Sequence, residues 1–380
     1  MGTFQLNLNG REVGGVMKYN PLKLIRGTKY TAVDFGHHSL KVIHCKAKAD
    51  SINLLDHGKI NLPRDAIKDG VVEDISLVSR YLDRLISEMG INPGKVLFTS
   101  AAGEEFVRKI ELPEMPDEEL KEALSWEVEE YLNMDPEDVA FDYVKLYKDN
   151  NQFNILLVVL PKDVLNGYKE VFNNLNMIPR VAGVQELSLV SLLFYQGEID
   201  KPSAIINIGS EQSRIIIASN DNFFLSRSLE ISGNKFTELF IGEEGDMEKA
   251  EESKFDAEVK VSENQAEAMD LDLMLAGIDE TEHLEKEMID LADNLVSELN
   301  RSLDYFEELG SGESLSELYI TGGTFLLNGL KDYIEKKLEI NIIEIEPFKN
   351  FKVKQDNLDK KIFMAVASGL VAAEVINNED

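Results

Sequence analysis

Two stretches of the chain repeat one pattern of apolar and polar positions. In each, an apolar strand ends on a polar residue, Asp34 or Asn207, a glycine follows two residues later, and a second apolar strand returns after a short polar turn. The backbone N–H groups of such a turn can converge on an anion, and a carboxylate there can hold magnesium or its waters. The duplication predicts two related lobes that face each other across a nucleotide.

The apolar spacing between and around these hairpins predicts mixed α/β structure. Helical periodicity is clearest in residues 75–86 and 287–309. From about residue 103 to 178 the pattern changes to that of a smaller unit, with alternating strands around a helix that opens on acidic residues at 117–119, where the helix dipole favours them. Further helices are predicted at 163–175, 183–195, 326–338 and 361–375.

These patterns divide the chain into a short prelude, two lobes and an insertion. The prelude contains Asn9-Gly10, a hairpin signal, so it is either an extra hairpin or a frayed arm. The predicted organisation is an N-terminal arm at 1–28, a first lobe at 29–102 and 179–200, an inserted subdomain at 103–178, and a second lobe at 201–376 with an acidic insertion at about 242–287.

Composition limits the classes of partner that the protein is expected to bind. Lys and Arg number 39 against 70 Asp and Glu, which gives a formal charge of −31. Nucleic acid and acidic lipid surfaces would both be repelled, and the acidity is typical of a solvated surface. The single cysteine, Cys45, cannot form an internal disulfide, and no run of about 18–20 apolar residues or signal-peptide pattern is present. A cytosolic protein is therefore expected.

Several short motifs, taken in this order, carry a resemblance to a known family. Each is weak by itself, but together they are specific, and they lie at residues 34–41, 69–74, 112–120, 126–131, 231–234, 250–254 and 321–323. From about residue 29 to 376 the chain resembles the PilM family of type IV pilus assembly proteins, within the actin-like ATPase superfamily and related to FtsA. The resemblance implies two actin-like (ribonuclease H-like) lobes with an FtsA-type inserted α+β subdomain.

The resemblance also implies ATP and Mg²⁺ as ligands and assigns site residues by position. Asp34 would bear on the magnesium, possibly through water, and Lys41 would reach a phosphate oxygen. The Glu251–Lys254 pair would serve the ribose and adenine, and the glycines at 322–323 would lie against the adenosine. The full nucleotide-binding set is Asp34, Gly36, His37, His38, Ser39, Lys41, Asn207, Gly209, Ser210, Gln212, Ser213, Gly233, Glu251, Lys254, Gly322, Gly323 and Thr324.

Each assignment has a plainer alternative. One alternative is that Asp34 does no more than cap a turn. Glu251 and Lys254 lie in an acidic region, where such pairs also arise by chance. The adjacent His37 and His38 do not predict a metal site, since neighbouring histidines in a tight turn rarely face one ion.

Asn207 departs from the family, which generally carries an acid in this second turn. An amide can accept a hydrogen bond from a magnesium-bound water, but it brings no charge and takes no proton. Phosphoryl transfer depends on placement of metal and nucleophile. Hydrolysis should therefore suffer more than binding, which leaves at most a weak ATPase with no firm catalytic residue.

Three functions are consistent with these features. The first is a cytosolic scaffold of the pilus machine that is attached to the inner membrane only through its protein partners. By resemblance it would bind the N-terminal cytoplasmic tail of PilN in a groove between the first lobe and the inserted subdomain, and would couple to the assembly ATPase. The second is an FtsA-like filament protein, disfavoured by the polar end at residues 374–380. The third is a small-molecule kinase, for which no substrate-pocket pattern is visible; homo-oligomerisation is left open.

Overall fold

The computed structural model describes most of the chain as strands and helices in two compact units. It covers residues 6–7, 27–48, 51–100, 107–132, 135–241, 245–260, 280–309, 315, 317–353 and 361–376. One unit comprises residues 1–202, 216–226 and 346–380, and the other comprises residues 203–215 and 227–345.

The strands before residue 203 all belong to the first unit. In chain order they are β1 (Leu6–Asn7), β2 (Thr28–Phe35), β3 (Ser39–Lys48), β4 (Ser51–Asn61), β5 (Ile67–Lys68), β6 (Val71–Val72), β7 (Lys95–Ser100), β8 (Val107–Pro113), β9 (Val139–Asp149), β10 (Gln152–Pro161) and β11 (Pro179–Val184). The later strands are β12 (Ser203–Ile208), β13 (Ser213–Ala218), β14 (Phe223–Leu229), β15 (Leu318–Thr321) and β16 (Ile342–Glu344).

The α-helices, in the same order, are α1 (Ile75–Met89), α2 (Asp117–Leu132), α3 (Lys162–Asn174), α4 (Gln185–Gln196), α5 (Gly233–Glu238), α6 (Met247–Asp256), α7 (Glu280–Glu308), α8 (Leu330–Leu338) and α9 (Ala365–Ile376). Two short 3₁₀ helices occupy Gly323–Leu326 and Ile362–Met364.

A six-stranded sheet in the order β1-β11-β7-β2-β3-β4 organises the first unit. Strand β2 runs antiparallel to β3 and parallel to β7, and this register sets Asp34 between Lys41 and Thr99. A cluster of aromatic rings from β2, β7 and α3 packs on one face, formed by Phe35, Phe98, Tyr168 and Phe172. The sheet thereby holds the end of β2 in a fixed, buried position.

Helix α9 is apolar on all sides, as expected of a helix buried within a core. It packs against α4 so closely that a Cβ at Gly369 would lie 1.9 Å from the carbonyl oxygen of Ser188. Glycine is therefore required at this crossing.

A smaller layer in the same unit consists of the three-stranded sheet β8-β10-β9 and helix α2. Its apolar core is a set of side chains from all four elements: Ile110, Leu112, Leu120, Leu124, Val128, Val139, Ile155, Leu157 and Val159. The alternating strands and the helical stripe seen in the sequence thus bury one shared apolar face.

The second unit is built around strands of a five-stranded sheet in the order β14-β13-β12-β15-β16. Strand β12 pairs in parallel with β15, so that Asn207 lies beside Thr321. Helices α5 to α8 belong to this unit. The carboxyl ends of β12 and β15 consequently lead into neighbouring turns.

Some element bounds differ from the sequence-based expectations. The helix expected at 183–195 begins at Gln185, because residues up to Val184 extend strand β11 beside β7. The helix expected at 326–338 begins at Leu330, since Gly329 has a positive φ of 76° and separates it from the 3₁₀ turn. Residues 247–256 of the acidic insertion form α6, whereas 242–244 and 261–279, like most of the predicted N-terminal arm, lie outside the described residues.

Candidate functional site

The first turn centres on a buried carboxylate held by two neighbours. Asp34 is 3% exposed. Its Oδ1 accepts a hydrogen bond from Thr99 Oγ1 at 2.9 Å, and Lys41 Nζ donates to its Oδ2 at 3.1 Å. Burying a carboxylate is costly unless it is paired. The register that sets Thr99 and Lys41 on either side of Asp34 supplies that pairing.

The turn after Asp34 is closed by its own backbone. The Gly36 N–H donates to the Ser39 carbonyl at 3.0 Å. A Cβ at Gly36 would lie 2.8 Å from Lys41 Nζ, so glycine leaves room for the ammonium group. His37 and Ser39 are buried and His38 is half-buried. Burial, assisted by neighbouring His38, lowers the pKa of His37 to about 4, so its ring is neutral near pH 7.

The second turn is held by backbone groups around Gly209. The Gly209 N–H donates to the Gln212 carbonyl at 3.0 Å. The Gly209 carbonyl in turn accepts from the Gly233 N–H at 2.8 Å and from Thr324 Oγ1 at 3.2 Å. A Cβ at Gly233 would lie 2.4 Å from Thr324 Oγ1. The structure thus brings Gly209, Gly233 and Thr324 together.

The Glu251–Lys254 pair extends this cluster. Lys254 is 2% exposed, and its Nζ donates to Glu251 Oε2 at 2.7 Å and to Thr237 Oγ1 at 3.0 Å. Thr237 Oγ1 also lies 3.0 Å from the Gly233 carbonyl oxygen. The two residues that the resemblance assigns together therefore form an ion pair, and it joins α6 to α5 next to the second turn.

The two adjacent glycines after β15 have different surroundings. Gly322 has a φ of +105°, and a Cβ there would lie 2.3 Å from the Ile208 carbonyl oxygen. Backbone packing therefore explains that glycine without any ligand. A Cβ at Gly323 would meet nothing within 4 Å. Open space beside Gly323 is compatible with a group lying against it.

Each of the two turns, taken by itself, contains groups that suit a phosphate ligand, and the first turn also contains a carboxylate that suits magnesium. In the first turn, Asp34 offers a carboxylate and Lys41 a mobile cation, the donor types that magnesium and phosphate prefer. In the second turn, the buried Ser213 Oγ has no hydrogen-bond partner among the described residues, although a buried hydroxyl normally has one. The described residues contain no group of three or more His, Cys, Asp or Glu side chains placed to hold a metal.

Two threonines that the sequence patterns did not single out support the predicted residues. Thr99 is the penultimate residue of β7 and lies directly beside Asp34, and Thr237 lies one helical turn after Gly233. The polar end of an otherwise apolar strand at 95–100 was a usable signal for Thr99. For Thr237 the sequence offered none, because its role depends on how α5 and α6 pack.

Comparison with known proteins identifies the family. The family model described as type IV pilus assembly protein PilM matches residues 32–269 and 281–374. The chain belongs to the PilM family. No curated protein sequence matches it.

Several solved structures are similar to this PilM family chain. A structure described as a PilM-PilN type IV pilus biogenesis complex is similar with a TM-score of 0.76 and 22% identity, over 91% of this chain and 98% of that one. The ethanolamine utilization protein EutJ of Carboxydothermus hydrogenoformans gives a TM-score of 0.50 and 10% identity, over 90% and 89%. MreB5 of Spiroplasma citri bound to ADP has a TM-score of 0.47 and 15% identity, over 93% of this chain and 98% of that one.

The predicted α/β fold of the actin-like class is therefore confirmed for this PilM family member. Within the described part of the chain, no helix combines the length and apolar character that crossing a membrane requires.

Proposed function

We propose that this PilM family protein is an ATP-binding scaffold of the type IV pilus assembly machine. It binds the N-terminal cytoplasmic tail of a PilN-like inner-membrane protein and hydrolyses ATP very slowly or not at all. The observation that carries the proposal is that the strand–turn–strand hairpin after Asp34 recurs after Asn207, in a chain that belongs to the PilM family.

The first turn supports a phosphate and magnesium role. Lys41 is bonded to Asp34 but is partly exposed, so its ammonium group can exchange that partner for a phosphate oxygen. Asp34 would then retain its bond from Thr99 and face the magnesium or its waters. Bound magnesium would supply charge neutralisation for the phosphates. Thr99 keeps the carboxylate oriented throughout.

The second turn supports binding without rapid turnover. Near Gly209 lie backbone amides and carbonyls, the hydroxyls of Ser213 and Thr324, and the amide of Asn207. Amides and hydroxyls can donate to phosphate oxygens, but the Asn207 amide at the end of β12 cannot take a proton from an attacking water. The carboxylate of this turn belongs to Glu211, which is half-buried and lies four residues beyond that position. The chemistry of this set favours nucleotide as a structural or conformational ligand.

The scaffold role is supported by the layered first unit. Strands β11 and β9 belong to different sheets of that unit, and the short strand β1 lies next to both. An extended segment is therefore accommodated between the six-stranded and three-stranded sheets. We place the PilN-like tail in this groove, which would connect the protein to the membrane complex.

Calorimetry with Mg-ATP, with phosphate release followed in the same sample, tests the nucleotide part. Clear binding with almost no phosphate release is expected. Rapid release would contradict the scaffold proposal and favour an enzyme. A second titration, with a synthetic peptide of the cognate PilN tail, tests the partner, and a scrambled peptide of equal composition is its control.

A further inference from the structure

The first residues of the chain form part of the sheet that carries the candidate site. Strand β1 pairs antiparallel with β11, with Leu6 opposite Ala182 and Asn7 opposite Val181. It occupies the end of the strand order β1-β11-β7-β2-β3-β4. The chain thus completes this sheet with a segment that lies more than twenty residues before β2.

Removing β1 would leave β11 as the edge of the sheet. An edge strand presents unpaired N–H and C=O groups that accept any extended segment with a free backbone. Val181 and Ala182, the residues of β11 opposite β1, are both buried, at 7% and 1% exposure. The protein thus covers with residues 6–7 an edge that could otherwise accept another strand.

The covering contact is short. It involves two residues of β1, whereas strands of globular proteins are usually about 5–6 residues long. Residues 8–26 connect β1 to Gly27, and such a segment reaches about 60 Å when fully extended. Neither the length of the pairing nor the length of the connection prevents β1 from leaving the edge of β11 while the rest of the fold persists.

We infer that the N-terminal segment is a displaceable cis-acting strand that competes with an extended partner peptide for the β11 edge beside β9. This rests on the proposed function for the partner, but the cis contact stands on the pairing of β1 with β11. A tethered strand acts at an effective concentration that can reach millimolar. The partner peptide must compete with β1 for the edge of β11. Its apparent affinity therefore depends on the fraction of molecules in which β1 is not bound to β11.

Two variants and their matched control test the contact itself. A chain that starts at residue 9 removes β1, and the double substitution Leu6→Pro/Asn7→Pro keeps the length but removes both backbone donors. Leu6→Val/Asn7→Thr keeps both donors with residues that favour strands. Amide hydrogen exchange over residues 179–184 should become faster in the first two proteins and stay unchanged in the third.

Trans complementation identifies the occupant. A synthetic peptide of residues 2–11 of this chain, added to the shortened protein, should restore slow exchange in β11. The same peptide with proline at positions 6 and 7 should not. Unchanged exchange in both the shortened and the double-proline proteins would overturn the inference. Protection that is lost on dilution of the intact protein would assign the strand to a second copy and also overturn it.

Titration of the cognate PilN tail peptide then separates the two proposals. We expect affinity about tenfold or more tighter for the shortened and double-proline proteins than for the intact chain. Equal affinity for all of them would contradict competition while leaving tail binding intact. No tail binding to any protein, together with rescue by the peptide of residues 2–11, would contradict the proposed partner and support the cis strand.

Discussion

The two turns that share a sequence pattern are stabilised by different means. The turn after β2 contains a partly buried ion pair between Lys41 and Asp34, and Asp34 also accepts a hydrogen bond from Thr99. The turn after β12 depends on backbone contacts of Gly209 and Gly233 and on close packing at Gly322. The first turn is thus sensitive to changes of charge, and the second is sensitive to the addition of a single methyl group.

This difference bears on function. A turn with a charged pair can respond to a charged ligand by exchanging partners, because Lys41 and Asp34 are each able to bind something else. A turn built from backbone groups offers fixed dipoles that require little rearrangement. A repeated motif therefore does not imply repeated chemistry, and each copy has to be tested by the kind of change to which it is sensitive.

The largest effect is expected from Gly322→Ala. A non-glycine residue at a φ of +105°, with its Cβ 2.3 Å from the Ile208 carbonyl oxygen, should lower the free energy of unfolding by about 3 kcal/mol or more. Urea unfolding measures this. Gly323→Ala is the matched control for stability, because its Cβ would enter open space, and its effect should stay within about 0.5 kcal/mol.

Gly323→Ala also tests ligand placement. If the adenosine lies against residue 323, this variant should weaken ATP binding despite its normal stability. Equal stability losses for both alanine variants would show that the neighbouring glycines do not differ in the way described.

The next effect concerns pH and belongs to the first turn. The pKa of His37 is lowered to about 4 in the folded protein, against an ordinary value of 6.5, mainly because the ring is buried. The unfolded chain therefore binds a proton at higher pH than the folded chain. The contribution of neutral His37 to the free energy of unfolding should therefore be fully present above about pH 6.5. It should fall by about 2–3 kcal/mol as the pH drops from 6.5 toward 4.

Unfolding measured between pH 7 and 4 checks this expectation. His37→Gln should flatten the dependence over that interval. His283→Gln is the control, because its side chain is 63% exposed, and it should leave the profile unchanged. A profile of identical slope in the wild type and His37→Gln would show that other groups cause the acid sensitivity.

Patterns among residues close together in the chain predicted much of the fold and several contacts of the candidate site. Alternating and helical spacing of apolar residues, together with glycine and proline at the ends of elements, predicted several parts of the fold. These are the two hairpins, the helix at 75–89 and the layer formed by β8, β9, β10 and α2. Glu251 and Lys254, which the family resemblance assigned together, form an ion pair on one helix. These features depend on residues close together in the chain, where sequence determines geometry directly.

What the sequence could not predict depends on tertiary packing. Thr99 becomes a partner of Asp34 because β7 is the parallel neighbour of β2, a pairing between strands about sixty residues apart. The requirement for glycine at 322 arises from the passage of β12 beside β15. The docking of β1 on β11 joins residues 6–7 to residues 181–182. Composition and periodicity carry no record of such partners.

Removing the charge of the first turn should weaken magnesium-dependent binding. Asp34→Asn takes away the carboxylate and leaves Lys41 without its anionic partner. Since hydrogen bonds to charged groups contribute about 1.5–3 kcal/mol, Mg-ATP affinity measured by calorimetry should fall about 10–100-fold.

Two controls separate the roles of charge and orientation in that experiment. Asp83→Asn, at an exposed position on α1, changes the net charge equally and should not affect affinity. Thr99→Val keeps the carboxylate but removes one of its donors, and its effect should be smaller. An affinity of Asp34→Asn equal to that of the wild type would show that Asp34 only stabilises its turn.

Adding a charge to the second turn should have the smallest effect on binding and the clearest effect on turnover. Asn207→Asp places an acid at the end of β12, beside Thr321 on β15, without changing the size of the side chain. If the amide limits hydrolysis, phosphate release should rise about tenfold or more, in line with the contribution of a positioned acid or base. Asn207→Ala removes the amide without adding charge and should not accelerate release. An unchanged rate in Asn207→Asp would mean that the missing acid is not what makes the second turn inactive, and the contrast between the turns would then concern their stability and not their chemistry.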